Sequence, residues 1–337
     1  MAAPLPSTAV PTETDADAGA LAERPTLGQS IYELTKPRIT RMVAITSGVG
    51  FMLGAVVQHW EAGDLAFRAA ACVVGTMLSA SGANALNQWW ERDRDAVMPR
   101  TCARPLPQAR VSPTQALWAG LGLGAAGVGL LALIGLAPAL VSLLTILIYV
   151  LLYTPLKPVT TVNTLIGAVP GALPPLIGWT AAATGNALYA GWAGLHALWG
   201  PGSAGGWSLF LLMFVWQIPH FLAIAWMYRD DYAKGGYRML PISDPDGRRT
   251  ASMMLLWAVV QIPATIAPAV LMHDRLGPTT VVVATVTGLI YAAMAFRLCR
   301  TREIRDAKRV FFASIIHLPL LLMVMVGDAM VQVWWQR

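Results

Sequence analysis

The chain has 337 residues, of which 56% are hydrophobic and 12% are charged, whereas soluble domains usually carry about 25% charged residues. This composition excludes an ordinary soluble globular protein and predicts an all-α polytopic membrane protein. The formal net charge of +6 would suit a nucleic-acid partner, but no basic stripe with interleaved aromatic residues accompanies it, so no nucleic acid is expected. Cys72, Cys102 and Cys299 have neither disulfide nor zinc-site spacing.

The N-terminal segment differs from the rest of the chain. Residues 1–30 are rich in Pro, Ala and Thr and contain acidic residues but no apolar core. They match neither a signal peptide nor a mitochondrial transit peptide. This composition predicts a disordered cytoplasmic tail, followed by one membrane domain at residues 31–337.

Long apolar segments then alternate with short polar ones. A membrane-crossing helix needs about 20 apolar residues, and the candidates lie at 39–57, 66–88, 113–134, 137–154, 161–183, 206–227, 251–272, 277–297 and 310–330. The glycines in the third span predict close approach to a neighbouring helix; they are Gly120, Gly122, Gly124 and Gly127.

The distribution of cations predicts the orientation of these spans. If the N-terminus is cytoplasmic, every Lys and Arg except Arg68, Arg275 and Arg337 falls on the cytoplasmic side. This is the asymmetry that the positive-inside rule describes. Nine spans then leave the C-terminus on the periplasmic side of a bacterial inner membrane.

The polar segment after the second span contains candidate ligands for a metal ion and for phosphate. Asn87, Glu91 and Asp95 are four residues apart, so a helix places them on one face. Three oxygen-bearing side chains suit Mg²⁺, which keeps phosphate oxygens among its ligands. Arg100 and Arg104 follow, and guanidinium groups bind phosphate oxygens bidentately. These residues predict a metal-bound diphosphate site, although a solvated loop of alternating charge has the same composition.

A second charged segment follows the sixth span. Arg229, Asp230, Asp231 and Lys234 lie at the end of that span. The second and sixth spans occupy equivalent places in two successive four-helix groups. We therefore expect the two acidic segments to face each other across a central cavity, since binding sites at repeat interfaces are common in membrane proteins.

His220 lies about two turns inside the sixth span. An ionisable group within the membrane is costly and usually faces a cavity or a partner. Contact with a polar substrate group or a metal is the favoured interpretation. The alternative is a neutral histidine bonded to a backbone carbonyl, and His317 in the last span is open to both interpretations.

The two charged segments resemble the two signatures of the UbiA superfamily of intramembrane prenyltransferases. The resemblance covers the chain from about residue 30 to the end, and Glu91 stands where the family usually has Asp. More specifically, the sequence is similar to the branch of the superfamily that farnesylates haem. The matching positions in the first segment are Asn87, Glu91, Asp93, Asp95, Met98, Arg100, Thr101, Arg104, Pro105 and Leu106. Those in the second are Trp216, Gln217, Pro219, His220, Tyr228, Asp230, Asp231, Tyr232, Gly235 and Pro241.

The resemblance implies a fold of about nine transmembrane helices around a central cavity. It also implies transfer of the farnesyl group of farnesyl diphosphate to a vinyl group of haem B, with water addition. The products would be haem O, which haem-copper oxidases need, and pyrophosphate. Mg²⁺ is the implied cofactor. The implied partners are the two substrates, the lipid bilayer, and haem A synthase or oxidase assembly factors.

The resemblance also assigns roles to residues of this chain. The implied catalytic residues are Asp95, Arg100, Asp230 and Asp231. The implied metal ligands are Asn87, Glu91, Asp95, Asp230 and Asp231. The implied diphosphate ligands are Arg38, Arg100, Arg104, Lys157, Arg229 and Lys234. His220 is the implied haem contact, at either the iron or a propionate.

Two other functions would share some of these features. A prenyltransferase with an aromatic, quinone-precursor acceptor would share the acidic residues, whereas His220 and the Asp230–Asp231 pair favour haem. A transporter with inverted repeats would carry its charges near the membrane midplane, but here the acids cluster at the cytoplasmic ends of the spans.

Overall fold

The structure is a computed structural model that describes residues 25–58, 60–183 and 191–335. Most of the predicted tail lies outside the described residues. Helix α1, Leu27–Leu34, begins within the segment that was predicted to be a tail. The Thr26 hydroxyl accepts from the Gln29 backbone N–H, and the Gln29 side chain accepts from the Thr26 N–H. This capping box satisfies two free donors and fixes the start of the helix.

In the described ranges the chain is almost entirely helical and no strand occurs. The remaining helices are α2 (Pro37–Ala55), α3 (Ala62–Val97), α4 (Pro113–Ala132), α5 (Leu136–Leu147), α6 (Thr154–Leu156), α7 (Asn163–Ala172), α8 (Pro174–Ala183), α9 (His196–Trp199), α10 (Ala204–Met227), α11 (Arg229–Lys234), α12 (Arg248–Leu271), α13 (Pro278–Thr301) and α14 (Ile304–Trp335).

Every predicted span corresponds to helix in the described residues. Eight helical stretches are long and apolar enough to cross a membrane, counting α5 to α6 as one and α7 to α8 as another. The predicted span at 39–57 corresponds to α2, which is not among the eight. Helix α2 has 19 residues and carries Arg38 and Arg41 in its first turns, which lowers its hydropathy.

The long helices form a ring. Helix α3 packs along α4, α10 along α12, α12 along α13 and α13 along α14, while α14 returns to α2. Helix α10 contacts α2, α7, α8, α12 and α14. It therefore lies where both halves of the chain meet.

The glycines of α4 allow α3 to approach closely. A Cβ at Gly120 would lie 2.7 Å from Leu86 Cγ, and one at Gly127 would collide with the backbone of Ser79. The prediction of close approach is correct for these two residues, as small residues at helix interfaces allow it. It is wrong for Gly122, where an added Cβ meets nothing within 4 Å.

One irregular segment shapes the C-terminal end of the fourth span. Between α5 and α6 the backbone forms a π-helix over Ile148–Tyr153. Such turns often occur at functional sites because they reorient the side chains that follow. The next polar residue after α6 is Lys157, which takes part in the site described below.

Candidate active site

Helix α3 continues to Val97 and carries the predicted oxygen ligands at its end. Asn87, Glu91 and Asp95 are all buried, with side chains on one face as their spacing predicts. All three line the same cavity of about 140 Å³. These residues are therefore not part of a solvated loop.

Each of the three oxygen-bearing side chains is paired with a cation from a different part of the chain. The pairs are Asn87 Oδ1 with Lys36 Nζ at 2.7 Å, Glu91 Oε1 with Lys157 Nζ at 2.7 Å, and Asp95 Oδ2 with Arg104 Nη1 at 2.6 Å. Burial of a charge is tolerated when it is paired and hydrogen-bonded. The three cations thus make the buried acidic face possible.

Lys36 reaches the cavity because of the way α2 begins. It precedes Pro37, the first residue of the helix, and adopts a left-handed backbone conformation with φ of 49°. Burial, followed by repulsion from Arg104, lowers the pKa of Lys36 to about 7. Sequence reasoning assigned Arg38 to the site, but Arg38 is exposed and does not line the cavity.

Lys157 approaches the cavity from the end of the fourth span. Burial disfavours its charge, but the Glu91 carboxylate and Tyr153 hold the pKa of Lys157 well above its usual value. Its ammonium group also lies 4.5 Å from the centre of the Tyr153 ring. Lys157 therefore lies beside the acidic face and lines the same cavity.

The second charged segment closes the cavity with tyrosines. Tyr232 and Tyr237 both line it. Arg100 lies between the rings of Tyr228 and Tyr232, at 4.9 and 5.2 Å, and donates from Nη2 to the Tyr232 hydroxyl at 3.2 Å. Tyr228 and Tyr232 belong to the second signature, but no site role was predicted for them or for Tyr237, because tyrosines near membrane surfaces are commonly interfacial anchors.

A backbone contact joins the two charged segments. Arg94 Nη1 donates to the Gly235 carbonyl at 2.8 Å. Gly236 has a φ of +70°, and an added Cβ there would lie 2.9 Å from Arg94 Nη1. Glycine at this position allows both the turn and the close approach of Arg94. The two charged segments are therefore in contact through Arg94 and Gly235.

The acids of the second segment lie outside the cavity. The Asp230 side chain is 87% exposed and lies 3.6 Å from Arg229 Nε. Asp231 is partly buried. Burial by itself would lower the pKa of Arg100, but Tyr232 and Tyr228 raise it, and the Asp231 carboxylate adds a smaller effect in the same direction. Lys234 and Arg229 are exposed. The four predicted residues are therefore close to the site but do not line it.

The donor set at the end of α3 fits a divalent cation only in part. Among the described residues no cluster of three His, Cys, Asp or Glu side chains is arranged to hold a metal. Asp95 Oδ1, however, is buried without a hydrogen-bond partner, and the Asn87 amide and Glu91 line the same cavity. Mg²⁺ binds proteins through one or two carboxylates and takes its other ligands from water and phosphate. The residues present are sufficient for that mode.

His220 lies away from this cavity, inside the bundle. Its ring stacks on Trp216 and on Phe311, and Nδ1 lies 2.7 Å from Ser314 Oγ. Of the two interpretations of His220, the one with a backbone carbonyl partner is wrong, because its partner is a hydroxyl group. His317 is buried, and neither of its ring nitrogens has a hydrogen-bond partner.

Comparison with known proteins identifies the family. A sequence model of the UbiA prenyltransferase family matches residues 42–316. A protoheme IX farnesyltransferase from Solibacter usitatus is 39% identical over 303 residues, which is 88% of this chain and 97% of that protein. One from Opitutus terrae is 40% identical over 302 residues, covering 88% of this chain and 93% of that protein.

Solved structures share the fold. A UbiA homologue from Archaeoglobus fulgidus, bound to GPP and Mg²⁺, superposes with a TM-score of 0.58 at 11% identity. The match covers 88% of this chain and 99% of the other. At that identity the likeness concerns the fold alone.

Proposed function

The chain belongs to the UbiA prenyltransferase family, and we propose that it transfers the farnesyl group of farnesyl diphosphate to a vinyl group of haem B. Water addition completes haem O, and pyrophosphate is released. The buried acidic face of α3 supports a diphosphate substrate. Lys36, Lys157 and Arg104 pair with its three oxygen-bearing side chains, and Arg100 lines the same cavity. The relatives named protoheme IX farnesyltransferase favour haem over an aromatic acceptor.

The diphosphate would bind at the cations that line the cavity. These are Lys36, Arg100, Arg104 and Lys157. Their positive charge stabilises the negative charge that develops on the leaving group, and a site that excludes water strengthens this effect. Arg38, Arg229 and Lys234, which the resemblance also implies, would act only if a bound substrate drew them inward.

Asn87, Glu91 and Asp95 would hold Mg²⁺, which when bound acts as a Lewis acid on the phosphate oxygens. Glu91, despite its extra methylene, lines the same cavity as the other two donors. A direct ligand role for Asp230 and Asp231 stays a prediction. The partly buried Asp231 is the better placed of the two, as it lies near Arg100.

The atoms and electrons of the proposed reaction balance. The bond between farnesyl C1 and the diphosphate oxygen breaks, and its electron pair leaves with the diphosphate. The terminal vinyl carbon of haem bonds to C1, and the oxygen of a water molecule bonds to the vinyl carbon next to the ring. That water releases one proton. The apolar helix walls keep other water away from the allylic cation, and His220 would contact the haem.

The proposed location is a bacterial inner membrane, with the N-terminus cytoplasmic and the C-terminus periplasmic. The distribution of Lys and Arg supports this orientation. It places the diphosphate cavity at the cytoplasmic face, where a soluble diphosphate can enter. Haem A synthase or oxidase assembly factors are the proposed protein partners, since haem O must be handed on.

The test is direct detection of the product. The purified chain in lipid nanodiscs receives haem B, farnesyl diphosphate and Mg²⁺, and mass spectrometry follows the tetrapyrroles. We expect a mass increase for farnesyl plus hydroxyl, which chelation of Mg²⁺ abolishes. Unchanged haem B together with farnesylation of a supplied 4-hydroxybenzoate would instead support the aromatic acceptor.

A further inference from the structure

The His220 ring has a constrained setting. Its centroid lies 5.0 Å from that of Trp216 and 5.1 Å from that of Phe311, with interplanar angles of 19° and 23°. Both aromatic rings therefore lie nearly parallel to the imidazole and limit its rotation. The ring nitrogens on its edge remain for polar contacts.

Ser314 determines which ring nitrogen carries the proton. Its Oγ lies 2.7 Å from His220 Nδ1 and 2.6 Å from the carbonyl oxygen of Phe311. A hydroxyl has a single hydrogen to donate, and a carbonyl oxygen can only accept. The Ser314 hydrogen therefore points to Phe311, and Ser314 Oγ accepts from Nδ1–H. The neutral imidazole is then left with an unshared electron pair on Nε2.

That electron pair is available. Among the described residues no hydrogen bond reaches His220 Nε2, and this atom is not one of the fully buried polar atoms. One turn earlier on α10, Gln217 donates to Ala168 of α7 and Trp216 donates to Ser314 of α14. His220 lies on the same side of the helix, so it faces the side of α10 on which α7 and α14 pack.

We propose that Ser314 is a positioning residue that holds His220 in the Nδ1-protonated tautomer, so that Nε2 coordinates the iron of the acceptor haem. This rests on the proposed function and deepens it. A contact with a haem propionate would need a donor on the free edge, and this tautomer provides none there. Iron needs the unshared pair of a neutral imidazole, and ligating histidines usually donate their other N–H to an orienting acceptor. Ser314 is that acceptor.

The position of His220 along α10 suits this role. It lies eight residues before Tyr228, the residue that ends the helix, which is about 12 Å along the axis at 1.5 Å per residue. A haem held there lies within the bundle, deeper than the diphosphate cavity. The farnesyl chain would then extend from the cavity toward the vinyl group.

The test is a binding titration that does not depend on turnover. The full chain in nanodiscs is titrated with ferric haem B and separately with metal-free protoporphyrin IX, for the wild type, Ser314→Ala and Ser314→Thr. We expect Ser314→Ala to weaken haem binding about 10-fold, as losses of orienting partners do. Its affinity for metal-free protoporphyrin should be unchanged. Ser314→Thr keeps the hydroxyl and should restore haem binding.

A second variant checks the ligand itself. His220→Ala should lose the absorption and electron paramagnetic resonance signature of imidazole-bound iron, and added imidazole should restore it. An unchanged iron spectrum in His220→Ala overturns the inference, as does equal weakening of both tetrapyrroles by Ser314→Ala, which would show a purely structural role. So does full haem affinity in Ser314→Ala.

The outcomes also separate this inference from the proposed function. If the wild type farnesylates haem but His220→Ala keeps its iron spectrum, the function stands and the ligand assignment fails. If the wild type binds neither tetrapyrrole, both fail together.

Discussion

The two charged segments have similar compositions but opposite environments. In the first, Glu91 and Asp95 are buried and each is paired with a cation. In the second, Asp230 is almost fully exposed and pairs only loosely with its neighbour Arg229. Acid–base composition therefore does not define a site, because a buried charge interacts far more strongly than a solvated one. The second segment contributes its tyrosines instead.

The largest effect should follow from breaking the buried pair between Lys157 and Glu91. Lys157→Met leaves Glu91 buried without its partner, which should lower the free energy of unfolding by about 3 kcal/mol. Denaturant unfolding in detergent measures this. The double variant with Glu91→Gln should recover most of the loss. If Lys157→Met is as stable as the wild type, water reaches Glu91, and the environments of the two charged segments differ less than their burial indicates.

The next effect concerns Asp95. Asp95→Asn keeps the shape but removes the charge that faces the proposed metal, and it should lower kcat about 100-fold, as loss of one preorganised electrostatic group does. Steady-state farnesyl transfer measures it. Asp231→Asn is the matched variant in the second segment, with an expected loss below about 5-fold. Equal losses would place both acids at the metal, as the sequence alone predicts.

Arg100 bridges the two segments, so it tests whether they act together. Arg100→Lys keeps the charge but loses the planar group that stacks between Tyr228 and Tyr232. We expect the KM for farnesyl diphosphate to rise about 10-fold, a loss of roughly 1.4 kcal/mol of binding. The exposed Arg229→Lys serves as the control and should change the KM less than 2-fold, about the size of a surface-charge effect. A comparable rise in Arg229→Lys would bring that residue into the diphosphate site.

The smallest effect is expected at Asp230. Asp230→Asn removes an exposed charge whose ion pair contributes about 0–1 kcal/mol. The activity should therefore stay within about 2-fold of the wild type, and the unfolding free energy within about 0.5 kcal/mol. The same two assays measure them. Loss of activity with unchanged stability would mean that substrate binding draws Asp230 into the site.

Much of the fold could be predicted from the sequence because lipid imposes a simple rule. Every backbone polar group must be satisfied within a span, so apolar length alone located the long helices of the spans. The spacing of Asn87, Glu91 and Asp95 also placed them on one face, since helical geometry is local. The capping box at Thr26 and Gln29 is also a local pattern that predicts a helix start, but the average composition of residues 1–30 predicts a tail there instead.

What the sequence could not decide depends on contacts between distant segments. Lys36 rather than Arg38 enters the cavity because of the backbone turn before Pro37. Tyr232 and Tyr237, rather than Asp230 and Asp231, line it because of how the second segment folds back onto Arg94 and Arg100.

Sequence patterns alone were enough to predict the membrane spans, the acidic face of α3 and the resemblance to a prenyltransferase family. Those features follow from composition, from the 3.6-residue helical period and from motifs that are local in the chain. The three-dimensional fold was needed to show which cation pairs with which oxygen and that Ser314 sets the tautomer of His220. Burial and most hydrogen-bond partners in the folded protein come from residues far apart in the chain, and local patterns do not specify them.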